Sequence, residues 1–569
     1  MSTASTPEPR TGRLPGWLIP ALLVLGCVLF LPNLGARDLW DPDEPRYALV
    51  SREMWRAGQY FVPLQNGQIY AEKPPLLFWL QGLLTCVAGD HGMWAARLPA
   101  ALAAIGSVIL TGLMGARLFE PLTGLLAGLL LATSHLVQWN GHTGTMDSLV
   151  SFWVAFSAWL FVRLLEVPSP TFRQLAPAYV AMGLATLTKG PPGALMLLVA
   201  VLAVRWRLMG RTAAMALRPV AGLAVATGIC LLWLVPAYLQ DGGAYVQAIV
   251  FRQTVVRFLQ PWHHYQGPLY YFWTLPLDYL PWSGLALAGL IAAWKAGWKE
   301  RRPEWLFPLA WVAVTVLFFS LSRGKRNVYL LPCFPALALL SAAAVRHWLS
   351  GPRTLWLARA STFASAVLGV AGIGALVGAA QKFQPLLPFA AGLCGMTVAG
   401  AALGLTLHAG GRSRAAFTAA LALASVTFIY MYAVMAPACD FFRSARPFAE
   451  AVAAVARPGE PIAAYLLFKP SVAYYLDRRL EEAKDNAEML ALTRGAGGTI
   501  ACILPVNQIE TLKSAGLDYV ERVPGAAGAE GLSFGRVRAG AAASGLTTAV
   551  AGRQVPPPGR SGPARDTNP

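Results

Sequence analysis

The chain has 569 residues, 56% of them apolar and only 13% charged, with a mean hydropathy of +0.49. Such a composition excludes a soluble globular protein, because repeated apolar runs of about 17–25 residues are what membrane-spanning helices require. The net charge of +18 does not indicate nucleic acid, since most Lys and Arg sit in short connections between apolar runs and no basic stripe lies on a soluble domain.

In chain order, the cytoplasmic N-terminus (1–14) carries Arg10 and Arg13 ahead of the first apolar run. No small-residue cleavage site follows that run, so the first helix is expected to be retained. Apolar segments then cover roughly 16–34, 75–89, 95–116, 122–137, 147–165, 177–188, 191–204, 214–236, 275–294, 305–321, 328–345, 358–380, 385–407 and 414–436. "RWRLMGR" (205–211), "KAGWKERR" (295–302), Arg346 with Arg353, and "GGRSR" (410–414) are basic and read as cytoplasmic. The loops at 35–74, 237–274 and 322–327 then face outward, as does the chain after 436. Two outward loops must be joined by an even number of spans, yet seven apolar segments separate the first two. Either one segment fails to cross or two share a broken span, and the prolines and glycines of "TKGPPG" (188–193) interrupt a helix there. Six spans in that stretch make thirteen in all for a membrane domain at 15–436.

Beyond Pro437 the pattern changes. "EPIAAYLLF" and "GTIACILPV" read as buried strands, while "RPFAEAVAAVA", "DNAEMLALTRG" and "VNQIETLKSAG" read as amphipathic helices. The alternation predicts a small periplasmic α/β domain over 437–538, and the Pro/Gly/Ser-rich remainder (539–569) reads as a disordered tail. Of the seven cysteines, five lie in apolar segments; Cys439 and Cys502 do not, and nothing in their spacing demands a disulfide.

Charge is concentrated where it is least expected. "DLWDPDEPRYALVSREM" (38–54) packs Asp41, Asp43, Glu44 and Arg46 just outside the first apolar run. Glu72 and Lys73 follow in "QIYAEKPPLLFWL", then "FRQTVVRFLQPWHHY" (251–265), then "SRGKRNVYLLP" (322–332). Arg323, Lys325 and Arg326 run against the positive-inside trend, and cations on an outer membrane surface call for an anion such as a lipid-linked phosphate. Each stretch also has a plainer explanation. The Asp-Pro-Asp-Glu-Pro run is common turn and cap chemistry, Asp147 in "HTGTMDSLVSFW" suits a helix N-cap, and Tyr47, Tyr70 and Tyr329 suit interface aromatics. His263 and His264 are adjacent, which disfavours a shared metal in an extended chain. Ala48, Leu49, Met54 and Trp55 supply apolar positions for an interfacial helix that could roof the site.

Taken together, "DLWDPDEPRYALVSREMWRAGQYFVPLQNGQIYAEKPPLLFWL" resembles the first outer loop of GT-C class glycosyltransferases. It is most similar to the bacterial lipid A 4-amino-4-deoxy-L-arabinose transferases, relatives of the protein O-mannosyltransferases. "TMDSLVSFW", "LATLTKGPPG" and "SRGKRNVYLLPCFPALALL" resemble later stretches of that family, so the likeness covers roughly 15–350. It implies an all-α polytopic membrane fold and transfer of a sugar from a polyprenyl phosphate, usually undecaprenyl phosphate, with inversion. The acceptor would be lipid A or another envelope glycolipid, or alternatively a protein hydroxyl. Carried over, the resemblance puts the catalytic acids on Asp43, Asp147 and Glu44. It puts the donor phosphate on Arg257 and Tyr329, with Lys73 and the outward cations Arg323 and Lys325 beside them, and Arg46, Tyr47, Tyr70 and Glu72 lining the pocket. With a hydroxyl acceptor Asp43 would be a general base; with a lipid A phosphate it would orient the site. The expected setting is a monomer in the bacterial inner membrane with membrane lipids around it, no required cofactor, and a divalent metal left open. A lipid-linked sugar flippase is the rival reading, but it predicts ionisable residues deep in the spans, and the charges gather in the outer loops.

Overall fold

The structure, a computed structural model, describes residues 15–88, 92–251, 265–349, 354–525, 529 and 531–539. The chain divides into two units, before and after Ser444. In the first, proline and glycine punctuate the helices. α1 (Leu18–Phe30) leads through a loop to α2 (Glu44–Arg56), the short hairpin β1 (Leu64–Gln65) and β2 (Gln68–Ile69), and α3 (Leu76–Ala88). α4 (Met93–Leu118), α5 (Pro121–Ala132), α6 (His135–Gly141), α7 (Asp147–Arg163), α8 (Phe172–Lys189), α9 (Pro192–Met215) and α10 (Pro219–Asp241) follow. α5, α9 and α10 each carry Pro in the first turn, where its missing N–H costs nothing. α8 starts on a Thr171–Gln174 capping box and stops at Gly190, whose φ of 102° is open to glycine.

Among the described residues, eight helices are long and apolar enough to cross a membrane, or up to ten if each of two bent pairs counts as one span. The chain is thus a multi-pass membrane protein. The bent pairs are α5 with α6, at 68°, and Tyr270–Asp278 with Ser283–Lys299, at 116°. "TKGPPG" is a corner between two separate helices, α8 and α9, rather than a break within one. Two further apolar helices, α1 and α3, are shorter: the 13 residues of each rise about 20 Å, against the roughly 30 Å of a hydrocarbon core. α3 lies against α2 and α4: Ser51 Oγ donates to the Phe78 carbonyl at 2.8 Å, and Gln81 Nε2 to the Ala96 carbonyl at 2.7 Å. α2 turns Tyr47, Val50 and Met54 into this cluster with Leu77 and Phe78. Its apolar positions therefore pack on protein rather than lying on lipid.

The core of the helical unit is Leu, Val and Ala brought close by small residues. A Cβ on Gly124 of α5 would stand 2.3 Å from the Gly112 carbonyl oxygen of α4, so these two backbones meet only because neither glycine has a side chain.

The second unit starts at Ala445, and residues 437–444 belong to the first. It holds a five-stranded sheet in the order β4-β3-β5-β7-β6. β3 (Ile462–Tyr465) is parallel to β4 (Glu481–Ala483) and β5 (Thr499–Pro505); β7 (Leu532–Ala539) is antiparallel to β5 and β6 (Leu517–Pro524). Helix Asn486–Gly495 is capped by Asp485, which accepts from the Glu488 N–H at 2.8 Å, and it packs Met489 against Cys502 and Leu504. All seven cysteines are free thiols. The stretch read as a disordered tail falls on residues 540–569, outside the described residues.

Candidate active site

The acid loop is built around Glu44. This carboxylate is 3% exposed and accepts from Arg37 Nη1 at 2.7 Å, Arg97 Nε at 2.9 Å, and the Trp40 and Gly144 N–H groups at 3.1 and 2.8 Å. Arg97, near the start of α4, also donates to the carbonyls of Leu34, Arg37 and Asp38 at 2.7, 2.8 and 2.6 Å. Burial alone would raise the Glu44 carboxyl, but Arg37 and Arg97 outweigh it and hold it well below the ordinary carboxylate range. Glu44 is therefore a structural anchor. Its lone pairs are committed to four donors.

One residue earlier, Asp43 is the N-cap of α2, yet its side chain caps nothing. It pairs with Arg326 at 3.3 Å and lies 4.0 Å from Arg46, which reaches Glu72 at 3.6 Å. Tyr70 donates to Glu72 at 3.4 Å. Burial pushes the phenols of Tyr47 and Tyr70 up, and nearby Asp43 and Glu72 add to it, so both stay protonated donors at neutral pH.

Across from them, Asp147 in the first turn of α7 is hydrogen-bonded to Lys189 at the end of α8, and Lys189 Nζ stands 5.3 Å from the centre of the Tyr329 ring. Arg326 joins the two groups. Burial would lower its pKa, but Asp43 and Asp147 together outweigh that and raise it. Its own loop is braced by Tyr271, whose hydroxyl donates to the Arg326 carbonyl at 3.1 Å, and by Asn327, which donates to Asp278 at 3.0 Å. The result is a mixed cluster of Asp43, Glu72 and Asp147 with Arg46, Lys189 and Arg326, drawn from five separate stretches of chain. A phosphate could enter it by competing for cations already ordered by carboxylates.

Residues 72–239 match the family described as dolichyl-phosphate-mannose-protein mannosyltransferase. Two relatives are named undecaprenyl phosphate-alpha-4-amino-4-deoxy-L-arabinose arabinosyl transferase. That of Pectobacterium atrosepticum is 31% identical over 58% of this chain and 58% of its own length. That of Edwardsiella ictaluri is 31% identical over 64% and 65%. This chain thus spans a little under two thirds of these relatives. ArnT from Cupriavidus metallidurans, solved bound to undecaprenyl phosphate, superposes with a TM-score of 0.72 at 20% identity over 93% of this chain and 99% of that one. Its apo form gives 0.70 at 21%, covering 93% and 98%. The chain shares the fold of that protein.

Within this fold the expected residues separate by location. Asp43, Asp147, Arg46, Glu72, Tyr70 and Tyr329 share the cluster, and Tyr47 is buried directly beneath it against Phe78. Lys73, half-buried, follows Glu72 in the chain. Lys325, expected on the donor phosphate, turns inward: it is 3% exposed and bonded to the carbonyls of Gln266, at 3.0 Å, and Ser322. A lysine bonded to two carbonyls closes its own loop, while the neighbouring Arg326 faces Asp43. Arg323 is exposed. Arg257, with His263 and His264, lies outside the described residues. Among the described residues no group of three or more His, Cys, Asp or Glu side chains is placed to hold a metal ion. Sequence reasoning leaves out Lys189, and it reads Arg326 as one of three outward cations that call for a phosphate without singling it out. The available signal for Lys189 is a lone cation ending an apolar run on the same side as Asp147.

Proposed function

We propose that the chain is an inverting glycosyltransferase that moves a sugar from undecaprenyl phosphate to lipid A or another envelope glycolipid. The observation that carries this reading is the convergence of Asp43, Asp147, Arg326, Lys189 and Tyr329 on one face of the helical unit. Arg326, Lys189, Lys73 and Tyr329 hold the donor phosphate, with Arg323 and, on the sequence resemblance alone, Arg257. As the bond between the anomeric carbon and the phosphate oxygen breaks, its electrons pass to the phosphate, where ordered cations stabilise the charge. The acceptor oxygen bonds to the opposite face of the same carbon. A hydroxyl acceptor gives its proton to Asp43, a step worth about 10²–10⁴-fold; a lipid A phosphate attacks as an anion and leaves Asp43 to orient the site. Transfer to a protein hydroxyl is the second reading, favoured by the family description that covers residues 72–239.

On this reading the site lies on the periplasmic side of a bacterial inner membrane, in a monomer with thirteen spans. α1, α4, α5 with α6, and α7 to α10 give seven of these. The bent pair Tyr270–Lys299 and the helices at Pro303–Leu321, Asn327–Leu349, Leu355–Lys382, Gln384–Ala409 and Ser413–Ala438 give six more. α4 supports this sidedness: Arg97 is at the Glu44 end, whereas Arg117 lies at the other, about 30 Å away along the helix. The test uses purified full-length protein in detergent with a labelled undecaprenyl-phosphate sugar and either lipid A or a hydroxyl acceptor. Transfer is expected with one of them, and Asp43→Asn should slow it. Wild-type rates from Asp43→Asn on every acceptor would remove Asp43 from the mechanism.

A further inference from the structure

The acid loop is gripped from the far end of the helical unit. The two carboxylate oxygens of Asp440, just beyond the last apolar helix, accept from the Asp38 main-chain N–H at 2.9 Å and from the Trp40 indole N–H at 2.7 Å. Ser444 donates to Asp38 Oδ2 at 2.7 Å, and Asn33 donates to the Ala433 carbonyl at 2.6 Å. Two guanidinium groups lie over the Trp40 ring, Arg37 at 4.2 Å and Arg443 at 4.9 Å. Tyr432 stacks on His142 at 3.9 Å, and the His142 carbonyl accepts from Arg37 at 2.9 Å. Trp40 is therefore held twice, its main-chain N–H by Glu44 and its indole by Asp440. Only Asp41 and Pro42 separate it from Asp43, so little chain is available to absorb a shift before it reaches the carboxylate facing Arg326.

We propose that Asp440 is a positioning residue for Asp43, fixing residues 38–40 so that the acid loop holds its carboxylate against Arg326; this rests on the transferase reading above. Both oxygens of Asp440 are engaged by Asp38 and Trp40, outside the Asp43–Arg326–Asp147 cluster, so it acts through the loop. A misplacement of about 1 Å at a reacting group can cost on the order of 10²-fold in rate.

The experiment compares full-length wild type, Asp440→Ala, Asp440→Asn and Trp40→Phe, with thermal unfolding to confirm that each is folded. Donor KM and kcat are measured with the undecaprenyl-phosphate sugar, and amide exchange is followed across residues 33–43. Asp440→Ala is expected to lower kcat about tenfold or more with donor KM within about twofold, and to speed exchange at 38–40. Asp440→Asn retains one acceptor and should be milder, as should Trp40→Phe, which removes one donor. Asp43→Asn with Asp440→Ala should be no slower than Asp43→Asn alone, since both act at one point. A wild-type kcat in Asp440→Ala, or rate losses that simply multiply, would overturn the assignment even if exchange quickens. If the wild type itself transfers nothing from the donor, the transferase reading fails separately. The exchange measurement then decides the grip, and unchanged exchange in Asp440→Ala overturns it.

Discussion

Neighbouring acids in this chain have opposite fates. Glu44 is sealed between Arg37 and Arg97, whereas Asp43 faces an open cluster across from Arg326. Replacing Glu44 by Gln leaves two buried guanidinium groups uncompensated and is expected to cost about 3–5 kcal/mol, seen as a lower melting temperature. The sign of its pH dependence follows from its lowered pKa. The stabilisation is complete above the ordinary value of 4.5 and drains away as pH falls below it, so acid unfolding should set in below about pH 4.5 and be blunted in Glu44→Gln. Lys189 contributes differently. Lys189→Met removes the partner of Asp147 and one cation beside Tyr329. Transfer should fall about 10²–10³-fold, the usual loss for one charge-stabilising group, with undecaprenyl-phosphate binding weakened in parallel. Activity near wild type would place the phosphate elsewhere.

Among the elements, the close contact of α4 and α5 is the most sensitive to added volume. Gly124→Ala would drive a methyl group into the Gly112 carbonyl, and about 1–3 kcal/mol of destabilisation is expected. Gly228 in α10 has open space where a Cβ would stand, with no neighbouring atom within 4 Å. Gly228→Ala should therefore be neutral or gain up to about 1 kcal/mol from helix propensity. Thermal melts of the two variants in one detergent check both. Elements differ in how legible they are. The buried strands β3 and β5 are apolar runs and read directly as such. β6 and β7 mix Asp518, Glu521, Arg536 and Arg538 into their length, and neither stands out as a strand in the sequence. β6 forms one edge of the sheet, where charge is tolerated, and β7 pairs directly with it. α3 has enough apolar character to resemble a span, and only its bonds to α2 and α4 set it apart from the equally short α1.

For the molecule as a whole, sidedness is the testable property. With native cysteines replaced, a cysteine at Gln59, exposed on the Asp43 side, should react with an impermeant maleimide from the periplasm. One at Arg211, exposed at the far end of α9, should react only after the membrane is opened; the reverse pattern would invert the topology. Apolar run length, basic connections and the charged motifs are local properties, written in one dimension. The sequence by itself therefore determined a polytopic membrane protein, its expected sidedness and the stretches that carry its chemistry. Which carboxylate is sealed and which is open, and which of three nearby cations reaches Asp43 from 283 residues away, are set by packing. Asp43 and Glu44, or Lys325 and Arg326, look alike as neighbours in the sequence. Only the folded chain turns one inward to satisfy buried partners and leaves the other facing the site.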